Sequence, residues 1–262
     1  MSLDIILAGV GGQGILSIAF VLDSAALDAG FDFKQAEVHG MSQRGGAVQS
    51  HLRMSKETIH SDLIPDGGVD LVLAVEPLES LRYAHSLSPG GTVVTSANPF
   101  VNIPSYPDLA GIHAQIAALP QHVLVPSAGL AKHAGSGRAE NMVMLGAGSW
   151  LYPFGDELCL KYIEQMFAKK SQRLVDVNQK AYRYGQAASA FYRRGLAAGL
   201  GSDQLLKILG VLDPDTLDEG TAPAWKAALQ NFPTMLDADL PVHTVPGTMA
   251  FMLELIRNGE LG

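Results

Sequence analysis

Ile5-Ile6-Leu7-Ala8-Gly9-Val10-Gly11-Gly12-Gln13-Gly14 is the stretch around which the chain is organised. An apolar run of strand length leads directly into glycines at 9, 11 and 14. A helical pattern of Ile15, Leu16, Ala19, Phe20, Leu22, Ala26 and Leu27 follows. Glycines allow a tight turn and a close backbone approach, and the helix start offers unpaired N–H groups to an anion. The spacing alone is weak evidence for a dinucleotide. It is better evidence for a doubly wound α/β fold that begins near residue 4.

The bulk composition narrows the classes. With 262 residues, 47% hydrophobic and 17% charged, the chain can bury a sizeable core and does not read as disordered. No apolar run is long enough to cross a bilayer, and Met1-Ser2-Leu3-Asp4 lacks the layout of a secretion signal, so a cytoplasmic protein is expected. The single cysteine, Cys159, cannot form an internal disulfide or hold an iron–sulfur cluster without other thiolates. A net charge of −8 argues against nucleic acid as the main partner. The charge is uneven: residues 202–262 hold nine acids against three bases, together with five of the fourteen prolines. That shift divides the chain into an α/β domain over residues 1–198 and an acidic, mainly helical extension over 199–262.

Outward from the first turn, Gly30 suits a helix C-terminal cap and Phe31 opens a second strand that ends near Val38. Glu37 falls about twenty residues past the glycines, where a ribose-binding acid sits in dinucleotide folds, though any αβ return places some acid nearby. His39-Gly40-Met41-Ser42-Gln43-Arg44-Gly45-Gly46 comes next. Its hydroxyl, amide, guanidinium and glycines can hold a phosphate or carboxylate, or Arg44 can pair with an acid on this chain or a neighbour. His39 and His51 have no second ligand at metal-binding spacing and read as packing or hydrogen-bonding residues.

Ala47 to Arg53 alternates as a half-buried strand, and Val69 to Val75 is a buried strand closed by Glu76-Pro77. Leu78 to Ser86 reads as a short helix, Pro89-Gly90-Gly91 as a turn, and Thr92 to Thr95 and His122 to Val125 as strands. Helices are expected from Asn141, over Glu157 to Phe167, and from Leu174 to Arg194 with Gly195 as the stop. In the extension, Asp203 to Leu209 and Thr248 to Ile256 read as helical, with proline-broken segments between them. The glycines at 146 and 148 suggest close approach of another backbone, and Cys159 reads as a buried small hydrophobe.

Together, Gly9-Val10-Gly11-Gly12-Gln13-Gly14 and Glu37 to Gly46 resemble the small, gamma-type subunit of 2-oxoacid:ferredoxin oxidoreductases. Asn141 to Ala147, and Asn178 with Gly185, match the same family. The His-Gly-Met-Ser-Gln-Arg-Gly-Gly version of the loop is most similar to the indolepyruvate branch. The likeness covers roughly residues 4–196 and does not reach the extension. It implies oxidative decarboxylation of a 2-oxo acid to an acyl-CoA. It also implies that thiamine diphosphate and iron–sulfur clusters sit on a larger partner, that coenzyme A enters the complex, and that electrons leave to ferredoxin. On this reading the chain binds no cofactor alone. Gly9, Gly11, Gly12, Gln13, Gly14, Ser42, Gln43, Arg44, Gly45 and Gly46 are candidate residues for a coenzyme A or cofactor pocket, or for a tight subunit interface. No catalytic residue and no metal set is assigned; Glu37 and Glu76 as acid–base groups have no motif behind them. A free-standing NAD(P)- or flavin-binding oxidoreductase and a non-catalytic scaffold remain as alternatives. A homo-oligomer is a further possibility, and neither nucleic acid nor membrane is expected as a partner.

Overall fold

The computed structural model describes residues 2–39 and 45–231. The chain divides into two units, Met1–Gln186 and Ala187–Gly262. The first is built on a six-stranded sheet of β1 (Ser2–Val10), β2 (Asp32–His39), β3 (Ala47–Ser55), β4 (Val69–Ala74), β5 (Leu87–Ser96) and β6 (His122–Val125), in the order β2-β3-β1-β4-β5-β6. The pairs β1–β4, β4–β5 and β5–β6 are parallel, whereas β1–β3 and β2–β3 are antiparallel.

Burial explains the arrangement. β1 and β4 are apolar and covered on both faces, as parallel strands between helical layers must be. β3 alternates buried and half-exposed residues and takes its place nearer the edge. Register between β1 and β3 is pinned where Asp4 faces Arg53, whose Nε and Nη2 donate to the two carboxylate oxygens at 2.9 Å each. The following segment, 56–68, folds back with Ile59 and Ile64 buried. The Ile64 N–H donates to His51 Nδ1 at 3.2 Å, and burial lowers the pKa of that ring, so His51 acts as a neutral acceptor.

Helices complete the unit: α1 (Ile15–Asp28), α2 (Pro77–Arg82), α3 (Leu109–Ala117), α4 (Ser127–Ala134), α5 (Glu140–Ala147), α6 (Asp156–Ala168) and the start of α7 (Gln172–Ala197). α1 contacts β1, β2 and β3 and adjoins α5 and α6, while α2 contacts β1, β4 and β5 and adjoins α3. The expected doubly wound α/β fold is thus present. α5 and α7 cross at two glycines. A Cβ on Gly146 would lie 1.9 Å from the Tyr182 carbonyl oxygen, and one on Gly185 would lie 1.9 Å from that of Val143. Only glycine admits so close a crossing, and it is reciprocal. Cys159 is buried with its thiol pushed up to about 12 by desolvation, which suits an inert packing residue.

In the second unit, α8 (Ser202–Val211) matches the expected helix and α9 (Ala222–Asn231) is additional. Three local expectations are corrected. Pro89-Gly90-Gly91 lies within β5, as an irregularity between the Val69–Leu87 and Leu71–Thr92 pairs, where a Cβ on Gly91 would meet the Val69 carbonyl at 2.5 Å. Gly195 does not stop α7, which continues to Ala197 before Gly199 adopts a φ of 86°. The proline at 223 does not break α9 because it falls in the first turn, where its missing N–H costs nothing. The expected helix at 248–256 lies outside the described residues.

Candidate functional site

The carboxyl ends of β1, β4 and β5 open onto one cleft of about 590 Å³. It lies at the junction of β1 and β4, where the chain leaves the sheet in opposite directions and ligands of α/β proteins bind. The β1–α1 turn forms one wall through Gly12, Gln13, Gly14 and Ser17. Asn98 to Phe100 and the 136–141 segment form others, and Lys170, Leu174 and Asn178 reach in from the α6–α7 side.

The turn is held by its own side chains. Gln13 folds back so that its Oε1 accepts from the Val10 N–H at 2.8 Å and its Nε2 donates to the Val75 carbonyl at 3.2 Å. This amide ties the ends of β1 and β4 together. Gly14 adopts a φ of 78° and caps α1 without a side chain, while Asn141 Nδ2 donates to its carbonyl at 3.2 Å. A Cβ on Gly9 would lie 2.9 Å from Ile15 Cδ1 and 3.0 Å from Gln13 Oε1, so it would push on the side chains that shape the turn. Gly12, at φ 103°, faces open space. Gly11 and the Gly45–Gly46 segment pair with each other: the Gly11 N–H donates to the Gly46 carbonyl at 2.8 Å and the Gly45 N–H to the Gly11 carbonyl at 3.4 Å. Asn102 Nδ2 adds a bond to the Gly45 carbonyl at 2.7 Å.

Of the ten residues singled out, Gly12, Gln13 and Gly14 therefore line the cleft. Gly9, Gly11, Gly45 and Gly46 shape the turn beside it. Ser42, Gln43 and Arg44 lie outside the described residues.

The electrostatics favour an anion at one end. The N-terminus of α4 is closed by Asn98, whose Oδ1 accepts from the Ala128 N–H at 3.0 Å. The N-terminus of α1 has no such cap, and its dipole faces the cleft with Arg138 and Lys170 also on the lining. Glu140 is the acid of the lining. Burial raises its pKa, and Ser127 Oγ, itself 2.7 Å from Ser96 Oγ, donates to it at 3.3 Å. Arg138, Glu140 and Lys170 are residues that sequence reading missed. They come from separate segments, and no local pattern marks them.

Glu76 and Glu37 do not join this site. Glu76 is buried at the end of β4, where it caps α2 by accepting from the Glu79 N–H at 2.8 Å and accepts from the Tyr106 hydroxyl. Glu37 stands on the edge strand β2, with antiparallel β3 between it and β1. That places it about 10 Å from β1, two strand spacings away. A ribose held at the first glycine turn would not meet it in the way the dinucleotide pattern requires.

Comparison with known proteins identifies the family. The family model for pyruvate ferredoxin/flavodoxin oxidoreductase matches residues 4–188. The chain belongs to that family. Within the pyruvate ferredoxin/flavodoxin oxidoreductase family it is 36% identical over 200 residues to indolepyruvate oxidoreductase subunit IorB of Archaeoglobus fulgidus. That match covers 72% of this chain and 97% of the relative. The IorB subunit of Pyrococcus horikoshii is 35% identical over 196 residues, covering 71% of this chain and 95% of the relative. Among solved structures, the gamma subunit of a keto/oxoacid ferredoxin oxidoreductase from Geobacter sulfurreducens matches with a TM-score of 0.53 and 23% identity, covering 71% of this chain and 98% of that one. The 2-oxoglutarate:ferredoxin oxidoreductase of Magnetococcus marinus matches with a TM-score of 0.58 and 20% identity, covering all of this chain and 42% of that one. These structural likenesses show the fold of the family. Among the described residues, no helix is long and apolar enough to cross a membrane.

Proposed function

We propose that this chain is the small subunit of an indolepyruvate (arylpyruvate):ferredoxin oxidoreductase and works only with a larger partner. The observation that carries the reading is the 36% identity spanning 97% of an indolepyruvate oxidoreductase subunit. The reaction joins a 2-oxo acid with coenzyme A, releases carbon dioxide, and passes two electrons to ferredoxin.

The donor set of this chain supports assigning the redox groups elsewhere. Cys159 is the lone thiol, buried and held protonated, so cluster ligation does not fit here. Thiamine diphosphate, which supplies the electron sink for decarboxylation, is bound through a divalent cation. Among the described residues, the cleft offers a single carboxyl, Glu140, which burial keeps inclined to its proton. Both groups are therefore assigned to the larger partner.

A phosphate-bearing group fits the cleft better. The uncapped α1 N-terminus presents N–H groups, and the open space at Gly12 lets a ligand reach the backbone. Arg138 and Lys170 supply positive charge. We assign the cleft to the phosphates of coenzyme A, with Gln13 and Asn141 holding the turn in shape. Phe100, half-exposed, belongs to the lining.

The test is anaerobic co-expression with the larger chain, followed by a reduction assay of a low-potential dye with indolepyruvate, pyruvate and 2-oxoglutarate. Coenzyme A-dependent turnover of arylpyruvates that needs both chains supports the reading. Equal activity from the larger chain alone would overturn it.

A further inference from the structure

One face of α1 takes no part in the cleft or the core. Leu16, Phe20 and Leu27 are 50, 46 and 60% exposed, although α1 otherwise buries its apolar residues. At 100° per residue, positions 16, 20, 23 and 27 fall within an arc of about 60°, so they form one stripe roughly 17 Å long. At its N-terminal end the stripe meets a groove of about 260 Å³ lined by Val10, Ile15, Leu16 and Val48 over the glycine turn. Asp28, by contrast, is turned about 110° from the centre of the stripe and pairs with Lys161 of α6.

Asp23 sits within the stripe, and its Oδ1 is buried with no hydrogen-bond partner. An unpaired buried carboxylate oxygen is costly, and large apolar side chains grouped on a surface mark an interaction site. Glu37 on the adjacent β2 adds negative charge beside it. α1, with the sequence ILSIAFVLDSAALD, contains no lysine or arginine. A second copy docked α1 against α1 about a twofold axis would therefore set acid against acid and supply no cation. One kind of partner answers both features: an apolar ridge with a cationic side chain among its apolar ones, placed to pair with the part-exposed carboxyl of Asp23.

We infer that the Leu16–Leu27 face of α1 is the docking surface for the larger subunit, which seats an apolar helix on the stripe and pairs a lysine or arginine with Asp23. The inference rests on the subunit reading above and adds which surface is used and what the partner must present. Three turns of helix suffice to span the stripe, with one side chain inserted in the groove beside Leu16.

The test uses the full chain co-expressed with the larger chain. Phe20→Glu, at a half-exposed position, should weaken co-purification by about tenfold or more. Asp23→Leu carries the sharper signature. It should weaken the complex and at the same time raise the urea midpoint of the full chain alone, because the orphaned carboxyl is gone. A purely structural role for Asp23 would instead lower that midpoint. A photo-crosslinker at position 16 should label the larger chain next to a lysine or arginine. Wild-type binding by both variants would overturn the inference, as would crosslinks only to a second copy or to residues beyond 231 of the same chain. If the folded wild-type chain fails to bind the larger chain at all, the subunit reading itself fails, a result distinct from the loss confined to α1 variants.

Discussion

Replacing Gly185 with alanine tests the crossing of α5 and α7. The new Cβ would stand 1.9 Å from the Val143 carbonyl oxygen and 2.9 Å from the Ala147 nitrogen. Ordinary contact begins near 3.4 Å, so the helices must part by about 1.5 Å along this line. Both obstacles are backbone atoms, which cannot turn aside as a flexible side chain would. Overpacking costs about 1–3 kcal/mol, and this geometry belongs at the upper end. Alanine recovers about 0.5–1 kcal/mol of helix propensity, leaving a net loss of about 2 kcal/mol. For a chain of this size that lowers the melting temperature by roughly 4–8 °C. Gly129 in α4 supplies the control, because a Cβ there meets nothing within 4 Å. Gly129→Ala should leave the melting temperature unchanged or raise it slightly. Thermal and urea unfolding should therefore separate the two variants, with Gly185→Ala alone losing stability. A Gly185→Ala protein as stable as wild type would refute the reading of these glycines as a backbone crossing.

Gln13→Leu removes the bridge between the Val10 N–H and the Val75 carbonyl, and should destabilise the chain by about 1–3 kcal/mol in urea unfolding. An unchanged midpoint would show that the amide serves a ligand and not the turn. Arg138→Ala combined with Lys170→Ala should raise the KM for coenzyme A in the assembled enzyme about tenfold or more while leaving that for the 2-oxo acid unchanged; equal effects on both would count against the phosphate assignment. Asp23 has its pKa raised from 3.8 to about 8, mainly by burial and then by Glu37. Its contribution to stability is therefore fully present below about pH 4 and is lost as pH rises through about 8. Asp23→Asn should flatten that decline, seen as a difference from wild type that grows between pH 5 and 8.5. Parallel profiles would contradict it.

Much of the architecture was legible because it is local. The apolar run into the glycine turn, the alternation over 47–53 and the mostly apolar strand at 69–75 each declare their own state by period and length. What they do not declare is pairing. That β3 inserts antiparallel between β1 and β2 depends on contacts between distant segments, and it removes Glu37 from the first turn. Gly195 reads as a helix stop by composition, yet it fits inside α7 because a Cβ there would lie 2.3 Å from Leu205 Cδ2. The glycine stretch stands on the rim of the cleft, with its roles divided: Gln13 and Gly11 are spent holding the turn, whereas Gly12 remains open to the cleft. Arg138, Glu140 and Lys170 escaped notice because isolated charges in ordinary loops and helices carry no sequence signature, and only folding brings them to one cavity.

The central claim is that this chain is one part of a larger oxidoreductase. It is tested most directly by anaerobic affinity purification of the tagged chain from its native cells, with iron, sulfide and thiamine diphosphate measured in the eluate. The expected result is a larger chain recovered in equal amount, carrying all three and conferring arylpyruvate-dependent ferredoxin reduction. Recovery of the folded chain alone and colourless under the same mild conditions would contradict it.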